Sequence, residues 1–317
     1  MARITGRYER TSVGGEEVAA FVPHPLPPAG PPLALDAKAT RLLREAEHGL
    51  SRLDLAGEMV PSIEWFLYAF VRKEAVLSSQ IEGTQASLVD LLRVEAGASP
   101  EGATEEDVEE VSNHLAALAY ARGQISRKGG LPLSIRLLNQ THRRLLKGVR
   151  GADKRPGEIR RRQNWIGGTR PGNAAFVPPP SREVARLLGD IERYIHETGP
   201  LPPLVRAALV HVQFETIHPY LDGNGRIGRL LVALLLAHWG LLSRPLLYLS
   251  LFFKQRRAEY YDRLGRVRTD GDWEGWTAFF LEGVATTAEE AVRDARSLFA
   301  LVAQDRADEL GGARAGE

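Results

Sequence analysis

Apolar residues recur at helical spacing along most of the chain, and the rhythm breaks at glycines, prolines and acidic stretches. The spacing predicts a first helix from Ala37 to about Leu53 and a second from Ser62 to Glu82, with Gly83 as its stop. Ser87 and Asp90 form a capping-box pair that opens a helix from Leu88 to about Ala96. After the acidic stretch Ala98 to Glu106, helices are predicted over Val108 to Ser126 and, capped by Ser134, over Ile135 to Lys147. They resume at Ser181 to Thr198, Pro203 to Ile217, Arg226 to His238, Arg256 to Thr269 and Trp273 to about Asp305. Residues 1–36 hold Pro23, Pro25, Pro27, Pro28, Pro31 and Pro32 and read as an extended leader, with regular structure starting after it. Residues 151–180 are rich in glycine and proline, and Gln163 to Ile166 with Ala174 to Val177 read as a small hairpin around a glycine turn. The pattern therefore predicts an all-α fold with one small β-hairpin. Its divisions are a leader at 1–36, an N-terminal helical region at 37–106, a core with C-terminal helices at 107–310, and a frayed tail at 311–317.

Composition narrows the chemistry. With 317 residues, 44% of them hydrophobic, the chain can bury a sizeable core. Its 41 basic and 40 acidic side chains leave a formal charge of +1, which argues against broad nucleic-acid or membrane binding. The absence of cysteine excludes disulfides, thiolate metal sites and a cysteine nucleophile, and fits a reducing cytoplasm. Met1 to Arg10 are polar where an export signal would be apolar, and the longest apolar run, Leu230 to Ala237, is far short of the roughly 20 residues of a membrane span. A cytoplasmic location is the expectation.

One stretch concentrates polar residues between two strongly apolar helices: His218-Pro219-Tyr220-Leu221-Asp222-Gly223-Asn224-Gly225-Arg226-Ile227-Gly228-Arg229. Gly223 and Gly225 let the backbone turn where a helix begins, so that free amides and the positive end of the helix dipole can face an anion such as phosphate. Arg226 and Arg229, three apart, can both point back to that anion, and Asn224 adds a neutral donor. Asp222, the loop's sole carboxylate, suits a magnesium ion beside polyphosphate. His218 is placed to take a proton from an attacking hydroxyl. A P-loop lysine motif, an H-E-x-x-H helix and a G-x-S-x-G elbow are all missing from the chain.

The string H-P-x-x-D-G-N-G-R-x-x-R resembles the signature of Fic-domain proteins at every specified position, and the resemblance extends from about Ser62 to near Glu290. It implies a Fic-type helical bundle with a β-hairpin flap, and a protein adenylyltransferase that moves AMP from ATP, with Mg2+, to a serine, threonine or tyrosine hydroxyl of a protein. On that likeness His218 is the general base and Asp222 the magnesium ligand. Gly223, Asn224 and Gly225 cradle the α- and β-phosphates, Arg226 holds the departing diphosphate, and Arg229 holds the γ-phosphate. Relatives that phosphorylate instead have a changed centre, whereas Gly223 and Asn224 are kept here. Tyr260 and Tyr261 resemble an adenine-side aromatic position, against ordinary core and rim packing. Residues 163–177 resemble the flap that holds a target strand, against a plain surface loop. The run Arg160, Arg161 and Arg162 reads as a solvated face.

A second stretch, Ser78-Ser79-Gln80-Ile81-Glu82-Gly83, is similar to the family's inhibitory pattern, in which the glutamate pairs with the second motif arginine. Glu82 ends its predicted helix, where the dipole disfavours a negative charge, so a cationic partner elsewhere would compensate. The partners implied are ATP and a protein substrate; self-modification and a homodimer stay open. So do AMP removal at the same site and a non-catalytic nucleotide-binding module.

Overall fold

Two helices that are apolar on nearly every side set the centre of the molecule, and the other elements are arranged to cover them. The computed structural model describes residues 3–59 and 63–314. In chain order it contains β1 (Gly6–Val13), β2 (Glu16–Pro23), α1 (Ala37–Met59), α2 (Ile63–Ile81), α3 (Leu88–Glu95), α4 (Glu105–Ser126) and α5 (Ile135–Leu145). There follow a 3-10 turn (Pro171–Asn173), α6 (Ser181–His196), α7 (Pro203–Ile217), α8 (Asn224–His238), α9 (Ser250–Gln255), α10 (Arg257–Thr269) and α11 (Trp273–Arg314). Every residue of α7 from Leu204 to Ile217 is buried, which is how a helix reads when neighbours surround it. Its partner α8 is buried on most of its surface, and the connection between them is the polar motif. The sequence thus delivers its most hydrophilic loop to the end of its most hydrophobic pair.

An aromatic group locks the C-terminal helices onto this pair. Trp276 of α11 is fully buried, and its indole N–H donates to the Ala208 carbonyl of α7 at 2.8 Å. Phe253 of α9 stacks on Tyr260 of α10 with centroids 4.5 Å apart. The short α9 is absent from the sequence expectation, because a run that short carries too little periodicity to separate helix from strand. The fully buried Ser250 anchors it, donating its N–H to Glu74 of α2 at 3.0 Å and its hydroxyl to the same carboxylate.

The predicted caps hold: Ser87 and Asp90 form a capping box, and Ser134 accepts from the Leu137 amide. A second box, Thr104 with Asp107, starts α4 three residues before the expected Val108. At the other end α11 continues to Arg314, so the predicted stop at Asp305 and frayed tail from Gly311 are corrected, while 315–317 lie outside the described residues. The predicted start of α2 at Ser62 also lies outside them.

The leader expectation needs the largest correction. Regular structure begins at Gly6: β1 and β2 pair antiparallel, Gly6 opposite Pro23 and Val13 opposite Glu16. Gly14 and Gly15, at φ 61° and 85°, make the two-residue turn between them, a conformation that suits glycine and matches strand twist. The Gly-Gly pair and the alternation of Val18, Ala20 and Val22 were the signals, and the prolines that follow masked them. The expected hairpin at 163–177 is reduced to one antiparallel pair, Ile166 with Phe176, bonded at 2.8 and 3.1 Å. The two hairpins join where the Phe21 amide of β2 donates to the Val177 carbonyl at 3.0 Å. No helix among the described residues is long and apolar enough to cross a membrane.

Several histidines are folded in uncharged. Burial holds His114 and His211 at about 3, and His142 at about 4, all below the ordinary 6.5. A folded pKa lowered in this way gives stability that is present above 6.5 and lost as pH falls toward the folded value. Each such histidine costs about 1.4 kcal/mol per pH unit over which only the unfolded chain is protonated. Burial also pushes Glu74 and Glu215 up to about 7, which acts with the opposite sign over the same range. The histidine contribution is isolated by comparing urea midpoints at pH 7.5 and pH 5 in wild type and in His114→Gln: the variant should lose less stability at pH 5, and an equal loss would mean that the His114 ring is solvated.

Candidate active site

The loop from His218 to Gly223 is shaped by backbone demands at both ends. His218 caps α7 in the left-handed region, φ 49°, and its amide donates to the Phe214 carbonyl at 3.0 Å. Gly223, φ 74°, occupies the same region at the start of α8, where a Cβ would meet His142 Nε2 at 3.2 Å. Between them the Asn224 side chain closes the loop on itself, accepting from the Tyr220 amide at 2.8 Å and donating to the Tyr220 carbonyl at 2.9 Å. Asn224 is 3% exposed, and its side-chain amide is a staple within the loop.

Two residues that sequence reasoning did not select fix this loop from outside. His142 of α5 accepts from the Gly157 amide through Nδ1 at 2.8 Å, which leaves Nε2 as the protonated nitrogen donating to the Asp222 carbonyl at 2.9 Å. Its ring stacks on Tyr220 at 3.8 Å between centroids. Arg160, read as part of a solvated run, is 2% exposed. It donates to the carbonyls of His218 at 2.9 Å, Pro179 at 2.5 Å, Arg162 at 3.3 Å and Ile217 at 3.4 Å. A cation there answers the carbonyl end of α7 and ties the left-handed turn to the base of the hairpin. Burial lowers its pKa to about 10, so it stays charged at neutral pH. Three consecutive arginines look alike in a sequence; only the fold separates Arg160 from the exposed Arg161 and Arg162.

The two motif arginines diverge. Arg226, 1% exposed, turns to Glu110 of α4 at 3.2 Å and stays 3.9 Å from Asp222. Glu110, another residue not foreseen, also accepts from Thr84 at 2.7 Å and pairs with Arg150 at 3.3 Å. Arg229 turns to α2, donating to Ser78 Oγ and the Ser78 carbonyl, both at 2.9 Å, and to Glu82 Oε1 at 2.7 Å. The expected pairing of Glu82 with Arg229 is therefore present. Burial acts to raise the Glu82 pKa, but the Arg229 charge and hydrogen bond outweigh it and hold the carboxyl below its usual range. For Arg229 burial acts to lower the value, and Glu82 reverses the sign and leaves it above the ordinary one.

Glu82 also lies against the start of α8. A Cβ at Gly225 would come within 2.2 Å of Glu82 Oε1 and 3.0 Å of an Arg229 nitrogen. A carboxylate thus lies against bare backbone at the positive end of a helix, the position prepared for an anion. On the opposite side, Asp222 is partly exposed and accepts from the Gly223 amide at 2.5 Å. Among the described residues no group of three histidine, cysteine, aspartate or glutamate side chains is arranged to hold a metal ion. A lone carboxylate beside a phosphate cradle matches the way magnesium binds, through one or two carboxylates plus substrate phosphates, so the residues fit that ion.

His218 sits inside this frame with Nδ1 unpartnered. Burial first, and then the Arg160 charge, hold its pKa at about 4, so the ring is neutral at pH 7 and able to accept a proton. The tyrosine pair separates. Tyr260 is 1% exposed with its hydroxyl on His211 at 2.9 Å, so it is core, and an adenine contact there is corrected; Tyr261 is 43% exposed at the rim.

Arg160→Met should keep the packing of the stem but leave buried carbonyls unpaired, a cost of about 2–3 kcal/mol in urea unfolding. Arg160→Lys should recover part of that, since an ammonium cannot reach every acceptor. A loss below about 0.5 kcal/mol would remove the buried-fork role.

Comparison with known proteins agrees with this geometry. Residues 40–122 match the Fic/DOC family N-terminal model and residues 132–236 the Fic/DOC family model, together more than half of the chain. Over 212 residues the chain is 29% identical to the protein adenylyltransferase Fic of Drosophila grimshawi, covering 66% of this chain and 40% of that protein. The protein of the same name from Drosophila melanogaster is 28% identical over the same length, with 39% of it covered. The chain thus spans about two fifths of the length of these curated relatives. Among solved structures, a Fic family protein from Desulfovibrio desulfuricans superposes with a TM-score of 0.67 at 24% identity, covering 84% of this chain and 77% of its own. Fic-1 from C. elegans gives 0.62 at 24%, covering 84% and 74%. With both family models matched in order, and the motif loop held between the two central helices, the chain belongs to the Fic/DOC family.

Proposed function

We propose that this protein is a protein adenylyltransferase that moves AMP from ATP to a protein hydroxyl, and that Glu82 restrains it. The observation that carries this reading is the Glu82 carboxylate lying over Gly225 and bonded to Arg229, an anion of the chain's own in the place of a nucleotide phosphate. The curated relatives named as protein adenylyltransferases support the reaction class.

In the proposed reaction the hydroxyl oxygen attacks the α-phosphorus while neutral His218 takes its proton, and the bond to the bridging oxygen breaks to release pyrophosphate. The bare backbone of Gly223 and Gly225, before and within the first turn of α8, would lie against the inner phosphates, and Arg226, preset by Glu110, would face the departing diphosphate. Arg229 would take the γ-phosphate once Glu82 leaves it. Asp222 would hold Mg2+, which neutralises phosphate charge when bound. The acceptor segment would lie along the hairpin of Ile166 and Phe176, where Trp165 stands 40% exposed.

His218→Ala should lower AMP transfer by about 10²- to 10⁴-fold while ATP still binds. Undiminished transfer, read by mass spectrometry with labelled ATP, would remove His218 from its role.

Glu82→Gly should raise AMP transfer by about tenfold or more, since 1.4 kcal/mol of restored alignment gives that factor. Adding Arg229→Ala should cancel much of the gain. If the folded Glu82→Gly variant transfers no faster than wild type, the restraint is refuted. If it instead loses AMP removal from a modified protein, the reverse reaction becomes the better reading.

A further inference from the structure

We propose that Arg268, lying over Phe176 of the flap, is an anion subsite on the acceptor side of His218, so that the protein segment presenting the hydroxyl is acidic; this rests on the AMP-transfer reading above. Arg268 lies in the last turn of α10, and its guanidinium carbon sits 3.9 Å from the centroid of the Phe176 ring. Phe176 is the flap residue paired with Ile166, and Val177 next to it is bonded to β2. The place is therefore where two hairpins and a helix meet. Thr5, just before β1, strengthens the junction by donating its hydroxyl to the Arg268 carbonyl at 3.2 Å.

What marks Arg268 is its lack of a partner. The fully buried arginines have oxygen acceptors: Arg160 and Arg206 have backbone carbonyls, Arg226 has Glu110 and Arg229 has Glu82, whereas the half-buried Arg268 has none. Among the described residues the Arg268 guanidinium makes no hydrogen bond and no ion pair, and it lies against the aromatic face of Phe176. Burial lowers its pKa to about 10, the Tyr8 hydroxyl and Glu215 working partly against that, so it remains a cation at neutral pH. A partly desolvated guanidinium with five free donors attracts a carboxylate strongly, and its planar fork suits that group geometrically.

Direction comes from the neighbours. The phosphate cradle at the start of α8 has its own cations, Arg226 and Arg229, whereas Arg268 belongs to α10 and rests on the flap, where the target strand is proposed to lie. The flap on which it rests is tied to the base's own turn, since Arg160 donates both to the His218 carbonyl at 2.9 Å and to that of Pro179, three residues after Phe176. Tyr8 of β1, 61% exposed, packs edge-on against Phe21, whose amide is bonded to Val177 next to Phe176. An aspartate or glutamate close in sequence to the acceptor would reach the guanidinium while the hydroxyl reaches His218.

The test uses the full chain carrying Glu82→Gly, and peptides with one serine, threonine or tyrosine whose flanking positions are scanned with Asp, Asn or Lys. Peptide binding is read by fluorescence anisotropy, ATP binding separately, and AMP transfer by mass spectrometry. Asp peptides should bind about tenfold tighter than their Asn counterparts at one or two flanking positions, the factor that 1.4 kcal/mol represents. Arg268→Gln should erase that difference and leave ATP affinity unchanged, and Arg268→Glu should turn the preference toward Lys; thermal unfolding verifies that both variants fold. Equal binding of the Asp, Asn and Lys series, or a loss of ATP affinity in Arg268→Gln with peptide binding intact, would overturn the subsite. Selective binding of Asp peptides with no AMP placed on any peptide or on the protein itself would uphold the subsite and sink the transferase reading instead.

Discussion

A guanidinium keeps its charge inside a helical bundle only where oxygen atoms surround it, and this requirement ties the N-terminal helices to the motif. Arg226 and Arg229 occupy the first turns of a helix buried on most sides, at 1% and 4% exposure. Leaving either uncompensated would cost several kcal/mol. Glu110 from α4 meets one, and Ser78 of α2 with Glu82 just past its end meets the other. The N-terminal region is thereby part of the site's electrostatics as well as of its packing. The same condition accounts for Arg160, whose carbonyl acceptors come from the end of α7 and from both sides of the flap.

The helices were legible because their signals are local. Capping serines, glycine stops and apolar periodicity act within a few residues, and α7, with its closed apolar surface, could hardly be read otherwise. The motif loop was legible because its residue types are unusual together. The direction each side chain takes was not: Asn224 folds back on the Tyr220 backbone within its own loop, and Arg226 and Arg229 part company because Glu110, Ser78 and Glu82, more than a hundred residues away in sequence, are their partners. The roles of Arg160 and His142 were invisible for the same reason. The N-terminal hairpin had a local signal in Gly14 and Gly15, but the prolines beyond it outweighed that signal in the reading.

Neutral imidazole recurs around the centre. His142 is fixed in one tautomer by the Gly157 amide, and His218 is kept uncharged by burial and by the cation behind its backbone. A ring held neutral adds no repulsion against nearby guanidinium groups and has a lone pair available for a proton. Burial thus prepares the site as much as hydrogen bonding does.

The Arg229 contacts separate into two kinds by their exposure. Ser78 lies within α2 and holds the guanidinium through a hydroxyl and a backbone carbonyl, while Glu82 stands just past the last helical residue, Ile81, and is the more exposed partner. Loss of the outer contact leaves the inner two standing. If Glu82 gives way as proposed, the guanidinium is still held by Ser78, so an incoming anion would meet a cation that is already oriented.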